Sequence, residues 1–154
     1  SLSIYADAAV PQLPPPSLDA NIKPDPSDTV AYGGYLFTIA ACSDCHTPMV
    51  KGAPDFARMA AGGNKFSTPQ FTVVSANITS DPETGIGKWT EEMFPAKFRE
   101  SKEKAMSTDN PGKSNTIMPW SLYADMKESD LKALYAFMKT LKPVKNKVEK
   151  WPAQ

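Results

Sequence analysis

Residues 42–46 read Cys42-Ser43-Asp44-Cys45-His46, a Cys-x-x-Cys-His motif. Two intervening residues place both sulfur atoms on one side of a helical turn, at about the spacing of the two vinyl groups of haem. The next residue is then directed under the centre of the ring, where an imidazole can bind iron. The chain holds no other cysteine or histidine. The motif therefore predicts one covalently attached haem c, with thioether bonds to Cys42 and Cys45 and an iron bond to His46.

Three other interpretations of the motif are less favoured. A disulfide between Cys42 and Cys45 would close a loop too small to stabilise the fold much. A zinc site would have to recruit a carboxylate such as Asp44 or Asp55, which is uncommon for structural zinc. A thioredoxin-like dithiol begins a helix that follows a strand, whereas this motif comes at the end of a predicted helical segment.

A haem that carries electrons needs a second axial ligand, and a methionine thioether is the usual choice because it raises the reduction potential. Among the seven methionines, Met49 is too near His46 to reach the opposite face of the ring. Met59 and Met106 lie near irregular chain and stay open as alternatives. Apart from Met118, the remaining candidates are Met93, Met126 and Met138. They belong to predicted helices, where the expected role of methionine is to fill the core.

Met118 is the favoured sixth ligand. It follows a polar loop rich in Ser, Asn, Pro and Gly, at residues 107–116. It precedes Pro119, which fixes the backbone at that point. It also stands 72 residues (118 − 46) beyond His46, which is enough chain to wrap a cofactor. The predicted axial pair is therefore His46 and Met118.

The first predicted helix begins with Asp28 as its N-cap and runs toward Cys42. It contains Gly33 and Gly34, which lower helix propensity. Paired glycines inside a helix indicate that another backbone crosses closely there.

Two further helices are predicted, one from Thr90 and one from Ser129 or Asp130 to about Leu141, ended by Pro143. Residues 47–88 show no sustained period and no useful strand pattern. A loop of that length argues against a compact domain unless it wraps a bound cofactor. The sequence therefore predicts an all-α fold with few helices and long irregular loops.

The length of 154 residues and the hydrophobic content of 41% are those of a single domain. Six of the fifteen prolines lie before residue 28, so residues 1–27 are predicted to form an extended Pro-rich arm. We expect a monohaem domain at residues 28–144 and a Lys-rich C-terminal tail at residues 145–154.

Seventeen basic and seventeen acidic side chains cancel, which argues against nucleic acid as a partner. Between Lys132 and Lys150 there are six lysines and one acid, Glu149. These lysines form either a solvated surface or a docking surface for an acidic partner. No stretch is long and apolar enough to cross a bilayer. Residues 1–10 do not resemble a signal peptide, which is expected of an exported chain whose leader or membrane tether has been removed, and equally of a cytoplasmic protein.

Five stretches carry a resemblance that goes beyond the motif: residues 41–48 (ACSDCHTP), 75–79 (SANIT), 81–90 (DPETGIGKWT), 118–120 (MPW) and 130–137 (DLKALYAF). Together they resemble the bacterial class I cytochromes c. The resemblance is strongest to the haem domains of the multihaem cytochrome subunits that accompany membrane-bound alcohol and aldehyde dehydrogenases. It spans roughly residues 30–144.

The resemblance implies the class I cytochrome c fold, with a few helices wrapped around one haem. In that fold the first helix would cross the last one near Gly33 or Gly34 and near Leu134 or Phe137. His46 and Met118 would be the axial ligands.

The resemblance also implies that Pro48 offers its carbonyl group to the second ring nitrogen of His46. Three side chains are candidates for a position near the haem propionates, although the two tryptophans fit the core as well: Trp89, Arg99 and Trp120.

The expected function is single-electron transfer between a redox protein donor and a redox protein acceptor, without conversion of a substrate. The expected compartment is the periplasm, because covalent haem attachment takes place outside the bacterial cytoplasm. The alternative is a five-coordinate haem, or one from which Met118 is displaced, that binds or senses NO, CO or peroxide. The absence of a second histidine argues against peroxidase chemistry.

Overall fold

The computed structural model describes residues 23–106 and 116–152, so most of the predicted N-terminal arm and nearly all of the polar loop before Met118 lie outside it. Within these ranges the chain forms five helices, a short 3-10 turn at Phe56–Arg58 and four short strands. The helices are α1 (Thr29–Ile39), α2 (Cys42–His46), α3 (Met93–Met106), α4 (Trp120–Tyr123) and α5 (Glu128–Met138). The strands are β1 (Met49–Val50), β2 (Ala53–Pro54), β3 (Lys65–Ser67) and β4 (Thr72–Val74).

Helix α1 begins where the sequence predicts. The Asp28 side chain accepts a hydrogen bond from the backbone N–H of Ala31 at 3.2 Å, which confirms Asp28 as the N-cap. The helix ends earlier than expected because Ala41 has a left-handed backbone, with φ of 53°. Helix α2 starts directly after Ala41, so the Cys-x-x-Cys-His motif occupies a separate helical turn.

Helices α1 and α5 cross at the glycine pair, as the resemblance implies. A Cβ atom on Gly33 would lie 1.9 Å from the carbonyl oxygen of Ala133 and 2.9 Å from the Cβ of Phe137. Gly33 therefore faces Phe137, as expected, and also Ala133 rather than Leu134. The crossing buries apolar side chains from both helices: Tyr32, Leu36, Phe37, Leu131, Leu134 and Met138. Removing a side chain of this size from water contributes about 1.5–3 kcal/mol of stability.

The other two predicted helices differ from the expectation at their ends. Helix α3 starts at Met93 rather than Thr90, whose hydroxyl accepts a hydrogen bond from the Met93 N–H at 3.3 Å. Pro95 then falls in the first turn, where its missing N–H costs little. Helix α5 begins at Glu128 and ends at Met138, slightly earlier than expected. Helix α4 is too short to give a periodic signal in the sequence.

The prediction of an all-α fold is only partly confirmed, because two small antiparallel sheets accompany the helices. Strands β1 and β2 pair over two residues each, around a turn in which Lys51 and Gly52 have positive φ angles. Strands β3 and β4 pair over three residues each. Strands of this length show no readable alternation, which is why the sequence did not reveal them.

The residues after α5 form hydrogen bonds with the long loop that precedes α3. The Asn77 side chain donates to the Val144 carbonyl at 2.7 Å, and the Asn146 side chain donates to the Ala61 carbonyl at 2.8 Å. The N–H of Val74 donates to the carbonyl of Lys150 at 2.8 Å. The segment predicted as a Lys-rich tail is therefore hydrogen-bonded to the domain over this stretch. In the described ranges no helix combines the length and hydropathy needed to cross a membrane.

Candidate haem site

Helix α2 carries both cysteines and the histidine of the motif on one helical turn. Cys42 is partly buried against the hydrophobic core, Cys45 is exposed, and neither forms a disulfide. Burial raises the pKa of the Cys42 thiol to about 12. A reactive dithiol of the thioredoxin kind needs a lowered thiol pKa, so this environment does not favour that alternative.

The His46 ring is oriented by a backbone carbonyl. Its Nδ1 atom lies 2.7 Å from the carbonyl oxygen of Ala76, to which it donates as the neutral imidazole. The Nε2 atom is then the ring nitrogen available for a ligand bond, since a metal-binding histidine generally donates its other N–H to an outer partner. Burial lowers the pKa of His46, and the positive charge of Lys150 lowers it further, against the opposing effect of the bond to Ala76. A neutral imidazole is the form that binds iron.

The expectation that the His46 ring donates to the carbonyl of Pro48 is wrong. The Pro48 carbonyl instead accepts a hydrogen bond from the N–H of Asp55 at 2.8 Å, beside the β1–β2 pair. The carbonyl next to His46 comes from Ala76, in the stretch 75–79 that contributes to the cytochrome resemblance. A backbone carbonyl has no side-chain signature, so nothing in the sequence marks Ala76 as the acceptor.

Gly62 lies between the histidine backbone and the carbonyl that orients its ring. The N–H of Gly62 donates to the carbonyl of His46 at 2.6 Å. Gly62 has a φ of 70°, and a Cβ atom on it would come 2.4 Å from the carbonyl carbon of Ala76. Glycine is therefore required both by backbone conformation and by the close approach of Ala76.

Met118 and Met59 both pack, partly buried, against the hydrophobic core that Cys42 also contacts. The N–H of Met118 donates to the hydroxyl of Thr116 at 2.9 Å. Helix α4 follows two residues later, and its Tyr123 hydroxyl donates to the carbonyl of Ala40 at 2.7 Å. This bond joins the chain after Met118 to the end of α1, just before the motif. The side chain of Met106, the other alternative, lies outside the described part of the chain.

The candidates for the propionate region are engaged elsewhere or packed in the core. Arg99 forms an ion pair with Glu128 at 2.8 Å on the surface. Trp89 and Trp120 both pack against the hydrophobic core, and the ring of Trp120 lies 5.2 Å from that of Phe98.

The donor set and its surroundings fit a covalently held haem. Two free thiols and an imidazole with one available nitrogen stand on a single turn. Three apolar side chains near Cys42 and Met118 in sequence are exposed, by 60% for Ile39, 44% for Ile117 and 71% for Leu122. Across residues 23–106 and 116–152, no group of three or more His, Cys, Asp and Glu side chains is arranged to hold a metal ion.

The sequence profile of the cytochrome c family matches residues 30–142. The chain belongs to the cytochrome c family, whose members carry covalently bound haem and transfer electrons. This result confirms the resemblance drawn from the five stretches, the first of which contains the motif.

Among curated proteins, the chain is similar to cytochrome subunits of dehydrogenases. It is 37% identical over 113 residues to the cytochrome c subunit of a quinone alcohol dehydrogenase from Gluconobacter oxydans, covering 73% of this chain and 21% of that protein. It is 39% identical over 116 residues to the cytochrome c subunit of a gluconate 2-dehydrogenase from Pantoea cypripedii, covering 75% and 24%. A dihaem cytochrome c from Cereibacter sphaeroides is 31% identical over 115 residues, covering 72% and 36%. The chain thus spans only about a quarter of the length of the first two relatives.

Proposed function

We propose that this chain transfers single electrons through one haem c. In this proposal Cys42 and Cys45 would hold the haem through thioether bonds, and His46 Nε2 and Met118 Sδ would bind its iron. The observation that carries the proposal is the 2.7 Å contact between His46 Nδ1 and the Ala76 carbonyl. That contact fixes the tautomer and leaves Nε2 for the iron, on the same helical turn as two free thiols.

The bound haem supplies a one-electron change at its iron. The chain's own residues hold it and set the conditions for that change. The thioether of Met118 would favour the reduced state and raise the potential, whereas the basic imidazole of His46 favours the oxidised state. Cys42 and Met118 both pack against the hydrophobic core, which would limit the access of water to their sulfur atoms.

The proposed haem domain comprises residues 28–144 in the class I cytochrome c fold, with a Pro-rich arm before it and a Lys-rich tail after it. The crossing of α1 and α5 at Gly33 supports this assignment. A single Cys-x-x-Cys-His motif supports one haem for this chain.

The proposed partners are a redox protein donor and a redox protein acceptor, with no substrate converted by this chain. The names of the relatives support a dehydrogenase as the donor. We further propose that the protein works in the periplasm, since covalent haem attachment occurs outside the bacterial cytoplasm.

The lysines near the C-terminus are partly engaged within the chain. Lys132 lies within ion-pair distance of Glu128 and Glu91, and Lys145 pairs with Glu83 at 2.5 Å. Lys139 donates to the Gly87 carbonyl. These contacts favour the interpretation of a solvated surface over that of a docking surface.

The test is the absorption spectrum of the haem-loaded protein, oxidised and reduced, with and without carbon monoxide. We expect a low-spin c-type spectrum, an oxidised near-infrared band from sulfur ligation and no response to carbon monoxide. Met118→Ala should abolish the near-infrared band and allow carbon monoxide to bind, whereas the control Met59→Ala should leave both unchanged.

Two other outcomes have a definite meaning. Loss of the band in Met59→Ala alone would assign the sixth ligand to Met59. A wild-type protein that binds carbon monoxide would instead have an open iron and would serve as a sensor of small ligands.

A further inference from the structure

Asn64 is placed between the haem-attachment turn and the carbonyl that orients His46. It lies just before β3, in the loop that follows Gly62 and Gly63. We propose that Asn64 is a positioning residue that holds the His46 imidazole in place and thereby tunes the reduction potential. This inference rests on the proposed ligation of the iron by His46.

The side chain of Asn64 bonds to the backbone on both sides of His46. Its Nδ2 atom donates to the carbonyls of Cys45 at 3.0 Å and Thr47 at 2.6 Å. Its Oδ1 atom accepts from the N–H of Met49 at 2.9 Å. A flipped amide would set the oxygen against two carbonyls, so these partners define one orientation. These three contacts need a side chain that carries both a hydrogen-bond donor and an acceptor at this distance from the backbone, as asparagine does.

The backbone of Asn64 is bonded to the segment that carries the orienting carbonyl. Its N–H donates to the Ser75 hydroxyl at 3.0 Å, and its carbonyl accepts from the Ser75 N–H at 2.9 Å. Ser75 directly precedes Ala76, whose carbonyl lies 2.7 Å from His46 Nδ1. Asn64 therefore fixes the distance between the backbone of His46 and the acceptor for its ring.

The strength of the bond from His46 Nδ1 to Ala76 sets the basicity of the imidazole. A stronger bond makes the imidazole a better donor to iron and stabilises the oxidised state. Loss of the Asn64 side-chain contacts would let the attachment turn shift relative to the Ala76 segment, which would weaken the bond from His46 Nδ1 to Ala76. The potential would then shift to more positive values while the axial ligands stay the same.

The experiment compares haem-loaded wild type with Asn64→Ala, Asn64→Leu and the control Asn146→Ala. The control removes an amide that also ties two loops together, through the Ala61 carbonyl at 2.8 Å. Three quantities are measured: the reduction potential, the rate at which the His46 Nδ1 proton exchanges with solvent by NMR, and the melting temperature.

Both Asn64 variants should show a more positive potential and faster exchange of the ring proton, with the near-infrared band retained. Asn64→Leu has about the size of asparagine but cannot hydrogen-bond, so a shift in both variants identifies the bonds rather than the packing. Asn146→Ala should lower the melting temperature without either effect.

Unchanged potential and exchange in the Asn64 variants, or equal changes in Asn146→Ala, would overturn the inference and leave the proposed function intact. A wild-type spectrum without histidine-ligated haem would overturn the proposed function itself. If Asn64→Ala fails to assemble with haem, Asn64→Leu provides the same comparison with the side-chain volume kept.

Discussion

Gly33 in α1 lies so close to Ala133 in α5 that a Cβ atom on Gly33 would come 1.9 Å from the Ala133 carbonyl oxygen. Backbone cannot give way as a side chain can, so Gly33→Ala should separate the two helices. We expect a loss of about 1–3 kcal/mol in the free energy of unfolding, as for other overpacked sites.

Urea unfolding of the haem-loaded protein measures this loss, and Gly34→Ala is the matched control. A Cβ atom on Gly34 would meet the ring of Phe137 at 3.1 Å, which a small rotation can relieve. Alanine also has the better helix propensity, so the control should be near neutral. Equal losses in the two variants would show that helix crossing is not what requires Gly33.

Gly62→Ala should disturb the orientation of His46. Its Cβ atom would come 2.4 Å from the carbonyl carbon of Ala76, whose oxygen bonds the His46 ring. Gly63→Ala is the control, because Gly63 also has a positive φ, of 98°, but its Cβ atom would only touch Asn146 at 3.4 Å. Both variants carry a left-handed strain of roughly 1–2 kcal/mol. Only Gly62→Ala should change the reduction potential and the NMR signals of the His46 ring, and a similar change in Gly63→Ala would contradict this account.

Much of the helical frame could be predicted because it depends on side-chain signals. Asp28 caps its helix as expected, and the pair Gly33 and Gly34 predicted the close approach of another backbone, which is that of α5. The exact facing residue, Ala133, depends on helix rotation that the sequence pattern does not define.

The parts that could not be predicted depend on backbone contacts. The carbonyl of Ala76 orients His46 because the loop passes beside the ring. The side chain of Ala76 gives no indication of this contact. Asn64 gave no signal either, because one asparagine in an irregular stretch resembles any turn residue. The strands are two or three residues long and show no period.

Asn77→Ala should be strongly destabilising, because Asn77 is buried and joins two separated segments. Its amide donates to the Val144 carbonyl at 2.7 Å and accepts from the Thr79 hydroxyl at 2.8 Å. Each buried group left without a partner costs about 1–3 kcal/mol. Ser67→Ala is the control, since it removes only an exposed contact with Thr72. Urea unfolding and hydrogen exchange at the Val144 amide measure the effect, and protection of that amide unchanged from wild type would contradict it.

The carboxylate of Asp81 should contribute stability that depends on pH. The hydroxyl and N–H of Thr84 and the N–H of Glu83 donate to it, and these bonds lower the pKa of Asp81. Because the pKa is lower in the folded state, the unfolded chain binds the proton more readily. The contribution is therefore complete above the ordinary value of about 4 and is lost as the pH falls through the folded-state pKa.

Asp81→Asn should be less stable than wild type at neutral pH, and the difference should shrink as the pH falls. Urea unfolding across the acid range measures it. Asp125→Asn is the control, because its exposed carboxylate pairs with Lys102 and an exposed pair contributes only about 0–1 kcal/mol. The difference in stability between Asp81→Asn and wild type could instead be the same at every pH. That result would show that the charge of Asp81 is not the source of the stability.

Tyr123→Phe should loosen the proposed bond between Met118 and iron without changing the ligand itself. The Tyr123 hydroxyl holds α4, which follows Met118, to the Ala40 carbonyl at 2.7 Å. Losing one such hydrogen bond costs about 0.5–1.5 kcal/mol, so opening of this segment should become about two- to tenfold more frequent. Because Met118 would leave the iron when the segment opens, imidazole added to the oxidised protein should displace it faster by the same factor.

The control Tyr135→Phe removes an equivalent bond, to the Trp89 carbonyl at 2.6 Å, from a part of the fold that does not hold α4. Equal acceleration in both variants would mean that global stability, rather than the link between α4 and the motif, controls access to the iron.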